Sequence, residues 1–310
     1  MKEFFYASAD KVNQIHAGCW EPEGQPKAVL QIVHGMQEYF GRYDAFAQFL
    51  AKNGYLVVAE DHLGHGASVQ KDEDHGYFGE NGNEWLIKDI RQLHLDTRKK
   101  YPGIPYFLLG HSMGSFLARQ YIERYSPDLD GAIIMGTGWT EEGVLKSGKT
   151  LCSLMAKFKG WRHRSPMVEK IAFGSYNKEF QPAETRVEWL TKEKFIKDKY
   201  LQDPWCTFKF TLNGYYTLFS AIGDEQKEEN IAGIRKDLPV FFVSGEKDPV
   251  GDYGKGVQKS YEAFKKAGIL NVQMKLYPDD RHEILNETDR EAVYQDLLNW
   301  LESIRLRNTI

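Results

Sequence analysis

A chain of 310 residues, 42% of them hydrophobic and 27% charged, can bury a large core as one big domain or one domain with an insertion, which excludes a disordered chain and argues against two unrelated domains. Its formal net charge of −4 supplies no basic field, so nucleic acid is not an expected partner. Apolar runs are strand-sized, well short of the roughly 20 residues of a membrane helix, and three scattered cysteines, Cys19, Cys152 and Cys206, suit a reducing compartment such as the cytoplasm better than a disulfide framework.

The first residues mix charges with aromatics and carry no apolar stretch of the kind a secretory signal needs. A broken alternation over 4–19 reads as strand, and so does the apolar run 28–33, which ends in His34-Gly35. Tyr43, Phe46, Ala47, Phe49 and Leu50 recur at helical spacing up to Asn53-Gly54, and 55–59 is a buried-strand run. The rhythm repeats with a helix over 85–100, a strand over 106–109, a helix over 115–125 and a strand over 131–135. Such alternation predicts a mostly parallel sheet covered on both faces by helices. After Gly136 it stops: 137–237 is helix-like, dense in aromatics and without strand runs. A strand over 239–243, a helix over 253–266, a strand over 272–277 and a helix over 290–305 resume the pattern. The expected division is an α/β core over 1–136, a helical cap inserted over 137–237, and the second part of the core over 238–310.

Residues 110–114 read Gly-His-Ser-Met-Gly. A Gly-x-Ser-x-Gly match is short enough to be a mere turn, so its setting decides; a strand run precedes it and a helix follows, as a nucleophile elbow requires. In that elbow the backbone is strained, the hydroxyl of Ser112 projects above the sheet, and only glycine-sized neighbours fit, which Gly110 and Gly114 supply. A serine hydroxyl is a weak nucleophile at neutral pH and needs a histidine to take its proton and a carboxylate to orient the histidine. Beyond Ser112 the chain has only His163 and His282. His163 lies in the basic stretch 161–164, whereas His282 follows the strand run 272–277, where a late-loop base belongs. For the acid, Asp248 directly follows the strand run 239–243. Glu246 and Asp252 are neighbours able to substitute, while Asp279 and Asp280 are too close to His282 in sequence. The oxyanion of a tetrahedral intermediate needs N–H donors, each worth about 3–4 kcal/mol. The Met113 N–H at a helix start and the Met36 N–H just beyond His34-Gly35 are the candidates.

Taken together, His34-Gly-Met-Gln-Glu-Tyr39, Gly41-Arg-Tyr43, Asp61-His-Leu-Gly-His-Gly-Ala-Ser68, the Gly110–Gly114 motif and Glu246-Lys-Asp-Pro-Val250 resemble the monoacylglycerol lipase and lysophospholipase group of serine α/β-hydrolases. The resemblance implies the α/β-hydrolase fold with about eight strands, a cap over the site, no cofactor, and acyl-ester cleavage by Ser112, Asp248 and His282. It departs from the group at Gln37, where glycine is usual, and at Leu63, where arginine is usual. Asp61, His62 and His65 sit in a Gly-rich loop that resembles the group's structural loop and not a metal-binding helix, so no metal is expected.

The expected substrate is a small acyl ester, a monoacylglycerol or a lysophospholipid. A small-molecule esterase, a thioesterase and an aminopeptidase or amidase would use the same triad, and a catalytically silent ligand-binding protein is the non-enzyme reading. Between 146 and 164 the inserted segment carries six cations and no Asp or Glu, with Leu151, Leu154, Met155 and Phe158 on one helical face. Transient contact with a lipid surface is one reading, and a solvated face over packed apolar side chains is the other.

Overall fold

Residues 28–33 and 55–60 are apolar enough to be buried on both sides, and each forms a strand with all six residues buried. The computed structural model describes residues 1–307. Its strands are β1 (Lys2–Ala7), β2 (Gln14–Trp20), β3 (Ala28–Val33), β4 (Tyr55–Glu60), β5 (Tyr106–His111), β6 (Gly131–Met135), β7 (Val240–Gly245) and β8 (Val272–Tyr277). They form one sheet in the order β1-β2-β4-β3-β5-β6-β7-β8. β2 is antiparallel to both of its neighbours and every pair from β4 to β8 is parallel.

The helices are α1 (Asp44–Lys52), α2 (Gly82–Lys100), α3 (Met113–Tyr125), α4 (Glu142–Lys159), α5 (Pro166–Phe173), α6 (Lys194–Gln202), α7 (Pro204–Thr207), α8 (Leu212–Glu225), α9 (Glu228–Ala232), α10 (Lys255–Lys266) and α11 (Arg290–Arg307). Alternate strand residues serve opposite faces. Val29, Leu108, Ile134 and Phe242 pack with α2, α3 and α10, whereas Leu30, Leu109, Ile133 and Val243 pack with α1 and α11. The expected eight-stranded sheet with helices on both faces is what the chain forms.

Boundaries differ where local chemistry overrides the apolar pattern. The alternation over 4–19 is a hairpin, turned where the Asp10 carboxylate accepts the Val12 and Asn13 N–H groups at 2.8 Å each. α2 starts at Gly82, because its polar first turn carries no periodic signal while Glu84 suits the helix dipole. α10 starts two residues later than expected, since Asp252, Tyr253 and Gly254 take φ of 47°, 54° and 87°, which no right-handed helix accepts. From β6 to β7 the chain runs through α4–α9 and adds no strand to the sheet. This segment joins the first face's core through Leu145, Cys152, Leu218 and Ala221. A fully buried ion pair between Arg119 of α3 and Glu225 at the end of α8, 2.5 Å apart, ties it down further.

Candidate active site

Ser112 occupies the turn between β5 and α3 with φ 54° and ψ −123°. That region costs a side-chain-bearing residue about 1–3 kcal/mol and persists only where the surroundings impose it. They do so through the flanking glycines. A Cβ on Gly110 would strike the Gly114 carbonyl and lie 2.5 Å from Ala118 Cβ, and one on Gly114 would strike the Val33 carbonyl. Helix α3 begins at Met113, so the Met113 N–H is one of the first-turn donors without an intrahelical partner.

Asp248 lies just past β7 and is fully buried. Its Oδ2 is 2.9 Å from Nδ1 of His282 and accepts the Ser244 hydroxyl at 3.1 Å, while Oδ1 accepts the Val250 N–H at 2.9 Å. A carboxylate on Nδ1 leaves Nε2 as the uncommitted nitrogen of His282. Of the competing acids, Glu246 and Asp252 are exposed, Asp279 pairs with Lys247 at 2.6 Å, and Asp280 pairs with Lys192 at 2.6 Å. His282 is held by the inserted segment: its N–H donates to the Trp189 carbonyl at 3.3 Å, the Glu283 N–H donates to the Leu190 carbonyl at 2.7 Å, and the Trp189 ring lies 5.1 Å from the imidazole.

Beside these residues lies a buried polar network. Glu38 Oε1 accepts the Gly35 N–H at 2.5 Å and the Tyr43 hydroxyl at 2.8 Å and is 3.0 Å from His111 Nδ1, and Arg42 forks onto Glu283 at 2.6 and 2.7 Å. His111 Nε2 is 3.3 Å from the His282 carbonyl, so both of its nitrogens face acceptors. Burial disfavours its imidazolium, but the hydrogen bond and charge of Glu38 outweigh burial and hold His111 above its ordinary value. Burial likewise works to raise Glu38, and His111 and Arg42 together hold it well below the usual carboxylate range. In the loop that carries Met36, the Gln37 N–H donates to His65 Nε2 at 3.3 Å. Asp61, His62 and His65 spend their polar atoms on local partners: Asp61 accepts the Phe40 and Ala67 N–H groups at 3.0 Å each, and His62 Nε2 donates to the His34 carbonyl at 3.0 Å.

One cavity of about 610 Å³ takes in Met36, Ser112, Met113 and His282 together. Its walls are uneven. Glu38, Glu283, Tyr200 and Cys206, all buried, line one part, and apolar side chains of α4, α5 and α8 line the other. Val144 and Ile171 line the apolar part and are also 63% and 64% exposed, which marks it as the open side. His163 does not line the cavity. The Glu38–Arg42–Glu283 network and Tyr200 were not singled out from sequence. The i,i+4 spacing of Glu38 and Arg42 was a usable signal, whereas nothing local links Tyr200 to the loop after β8.

A family model described as serine aminopeptidase, S33 (Hydrolase_4) matches residues 24–289. The chain is 42% identical over 286 residues to monoglyceride lipase of Rattus norvegicus, covering 91% of this chain and 84% of that protein. It is 26% identical to monoacylglycerol lipase of Mycolicibacterium smegmatis, covering 92% and 91%. Among solved structures, a highly thermostable carboxyl esterase from Bacillus coagulans in complex with glycerol superposes with a TM-score of 0.91 at 27% identity, covering 98% of each chain.

Proposed function

The chain belongs to the Hydrolase_4 family, serine aminopeptidase S33, and is an ester-hydrolysing α/β-hydrolase; on that premise we propose that Ser112 attacks the ester carbonyl, with His282 as base, Asp248 as its orienting acid and the Met36 and Met113 N–H groups as oxyanion donors. One observation carries this reading: a strained Ser112 and an Asp248-bound His282 open onto one cavity. As Ser112 Oγ bonds to the carbonyl carbon, Nε2 of His282 takes its proton and then passes it to the departing alkoxide. Water repeats the sequence on the acyl-enzyme, releasing the acid and restoring the serine.

The substrate we infer is a neutral acylglycerol. A long acyl chain suits the apolar, open part, and a cavity of about 610 Å³ is within the usual range of about 300–1,000 Å³ for small-molecule sites. The leaving alcohol then lies against Glu38, Glu283 and Tyr200. Arg42 sits behind those carboxylates, over the Tyr200 ring at 5.0 Å, so a phosphate headgroup against that wall would meet negative charge first, and the cation the cavity lining otherwise offers is the exposed Arg186. The same pairing argues against a peptidase, because an amino terminus needs a free carboxylate, and Glu169, the other carboxylate of the cavity, is held by Lys209 at 2.9 Å. The names of the rat and mycobacterial relatives and the glycerol bound to the Bacillus coagulans esterase support the same choice.

In this reading 137–237 acts as the cap, and α4 with α5 meets the lipid surface. Leu154, Phe158, Met167 and Ile171 are exposed there, Phe158 by 88%. Lys157 and Lys159 are exposed and make no ion pair among the described residues. Arg162 and Arg164, by contrast, are tied to Asp74 and to the Glu73 and His75 carbonyls. No helix among the described residues is long and apolar enough to cross a membrane, so contact would be peripheral.

Fluorophosphonate labelling with peptide mapping tests the chemistry, and rates on monooleoylglycerol, oleoyl lysophosphatidic acid and an alanyl arylamide test the substrate. The expected outcome is a label on Ser112 and kcat/KM for monooleoylglycerol at least about 100-fold above that for the lysophosphatidic acid. An unlabelled Ser112 sinks the mechanism, equal rates on the two lipids sink the neutral-alcohol assignment, and preference for the arylamide makes the protein a peptidase.

A further inference from the structure

The loop that carries Met36 is gripped on both sides of that residue. On one side the Gly35 N–H donates to Glu38 Oε1 at 2.5 Å, and on the other the Gln37 N–H donates to His65 Nε2 at 3.3 Å. His65 can accept because it is neutral: burial, and then the neighbouring His62 ring, push it down to about 3, and its Nδ1 donates to the Leu63 carbonyl at 3.3 Å. A third contact leaves the loop altogether. The Gln37 side-chain amide donates to the carbonyl of Phe208, which lies between α7 and α8 in the inserted segment. Gln37 also has φ 56°, a left-handed conformation that a residue with a β-carbon keeps only where its surroundings over-determine it. The two groups that over-determine it here are His65 in the core and Phe208 in the insertion.

We propose that Gln37 is a positioning residue for the ester hydrolysis: by bridging the loop to the inserted segment at Phe208 it fixes the direction of the Met36 N–H, so that this donor is aimed at the oxyanion only while the segment is seated. The proposal rests on the roles of Ser112 and Met36 given above. Gln37 transfers no proton and forms no bond to substrate; by holding the Met36–Gln37 peptide unit it limits the rotation of Met36, whose own N–H lies in the Gly35–Met36 unit that the Gly35 N–H bond to Glu38 steadies from the other side. Its amide therefore matters in the transition state, where the oxyanion exists, and hardly at all in the ground state.

Three substitutions in the full chain separate the donor from mere bulk. Gln37→Met keeps the reach and loses the donor, Gln37→Glu sets a carboxylate against the Phe208 oxygen, and Gln37→Lys keeps both reach and donor. Each is measured for kcat and KM on 4-nitrophenyl butyrate and for inhibition by a trifluoromethyl ketone, whose adduct on Ser112 carries the oxyanion. The expected result is a kcat lower by about tenfold or more in the Met and Glu variants with KM within about twofold. Inhibitor affinity falls by a similar factor, and most of both losses is recovered in the Lys variant. The proposal is overturned if the Met variant stays within about twofold of the parent, if inhibitor affinity does not follow kcat, or if the Lys variant is as slow as the Met variant, the mark of a purely structural side chain. A parent protein in which Ser112 takes no fluorophosphonate label removes the catalytic reading and this proposal with it, whereas a labelled Ser112 beside an unchanged Gln37→Met variant removes Gln37 alone.

Discussion

Ser112, Asp248 and His282 differ in what their loss should do. Under the proposed mechanism Ser112→Ala removes the nucleophile and lowers kcat on a 4-nitrophenyl ester by about 10⁵-fold or more. Asp248→Asn keeps the geometry but turns His282 to the wrong tautomer and costs about 10⁴-fold; a loss under tenfold in either would contradict the assignment. His111 offers a different handle. It is held above its ordinary value of 6.5 and Glu38 below its ordinary value of 4.5. The stability His111 adds is complete below pH 6.5 and fades as pH rises through its raised value, while that from Glu38 is complete above 4.5 and fades on acidification. The pair therefore counts most between those two values. His111→Gln should cost about 2 kcal/mol near pH 5.5 and clearly less at pH 9, read from urea midpoints; a constant difference would mean that folding leaves the proton affinity of His111 unchanged. Ser112, Asp248 and His282 are nominated from the chain by residue type, order and position after a strand, and the structure sets Asp248 against His282 and opens Ser112 and His282 onto one cavity. Glu38, Glu283 and Tyr200 come from three distant stretches, and only folding brings them to one wall.

Among the elements, the buried strands were the most legible, since a strand covered on both faces must be mostly apolar: β6 is so throughout, β3 apart from Gln31, and β5 as far as His111. Helix starts were less so, because polar caps and left-handed residues such as Asp252 and Tyr253 leave no periodic trace. Within the inserted segment, aromatics that fill its core and aromatics that face the cavity look alike in sequence. What joins this segment to the loop carrying His282 is polar: Lys192 pairs with Asp280, and Glu287 accepts the Lys192 and Arg281 N–H groups at 3.0 and 2.9 Å. Burial lifts Asp280 to about 6, with Lys192 opposing the rise. An acid raised in this way costs stability above its unfolded value and returns it as it gains a proton. Lys192→Met should therefore destabilise by about 2 kcal/mol at pH 7.5 and by much less at pH 5, with a fall in kcat at neutral pH as the loop loosens. Chemical denaturation at the two pH values checks this, and a loss independent of pH would contradict it.

At the scale of the whole molecule, the turn that carries Ser112 opens onto a cavity walled in part by α4, α5 and α8, and α4 and α5 expose Leu154, Phe158, Met167 and Ile171 beside Lys157 and Lys159. If α4 and α5 meet lipid, Phe158→Ser combined with Lys157→Glu and Lys159→Glu should cut turnover of monooleoylglycerol in anionic vesicles by about 30-fold or more, since two lysines near such a surface contribute about 2 kcal/mol between them. Turnover of a soluble short-chain ester should stay within about twofold. Equal activity on vesicles would leave these residues as an ordinary solvated face. The buried pair of Arg119 and Glu225 bears on a different matter, the exchange of parts between relatives. α3 starts just after Ser112 and carries Arg119 within the core, while Glu225, its ion-pair partner, belongs to the 137–237 segment. Burial pushes Glu225 well up and Arg119 down; Arg119 has further support from the Glu123 charge and from the Gly138 carbonyl and the Ser260 hydroxyl, but stranding one member of a buried pair costs about 3–5 kcal/mol. The insertion is thus not a free module. A chimera that replaces 137–237 must bring an acid to Arg119 or change Arg119 as well, and a transplant that does neither should fail to fold however well its new pocket suits the intended substrate.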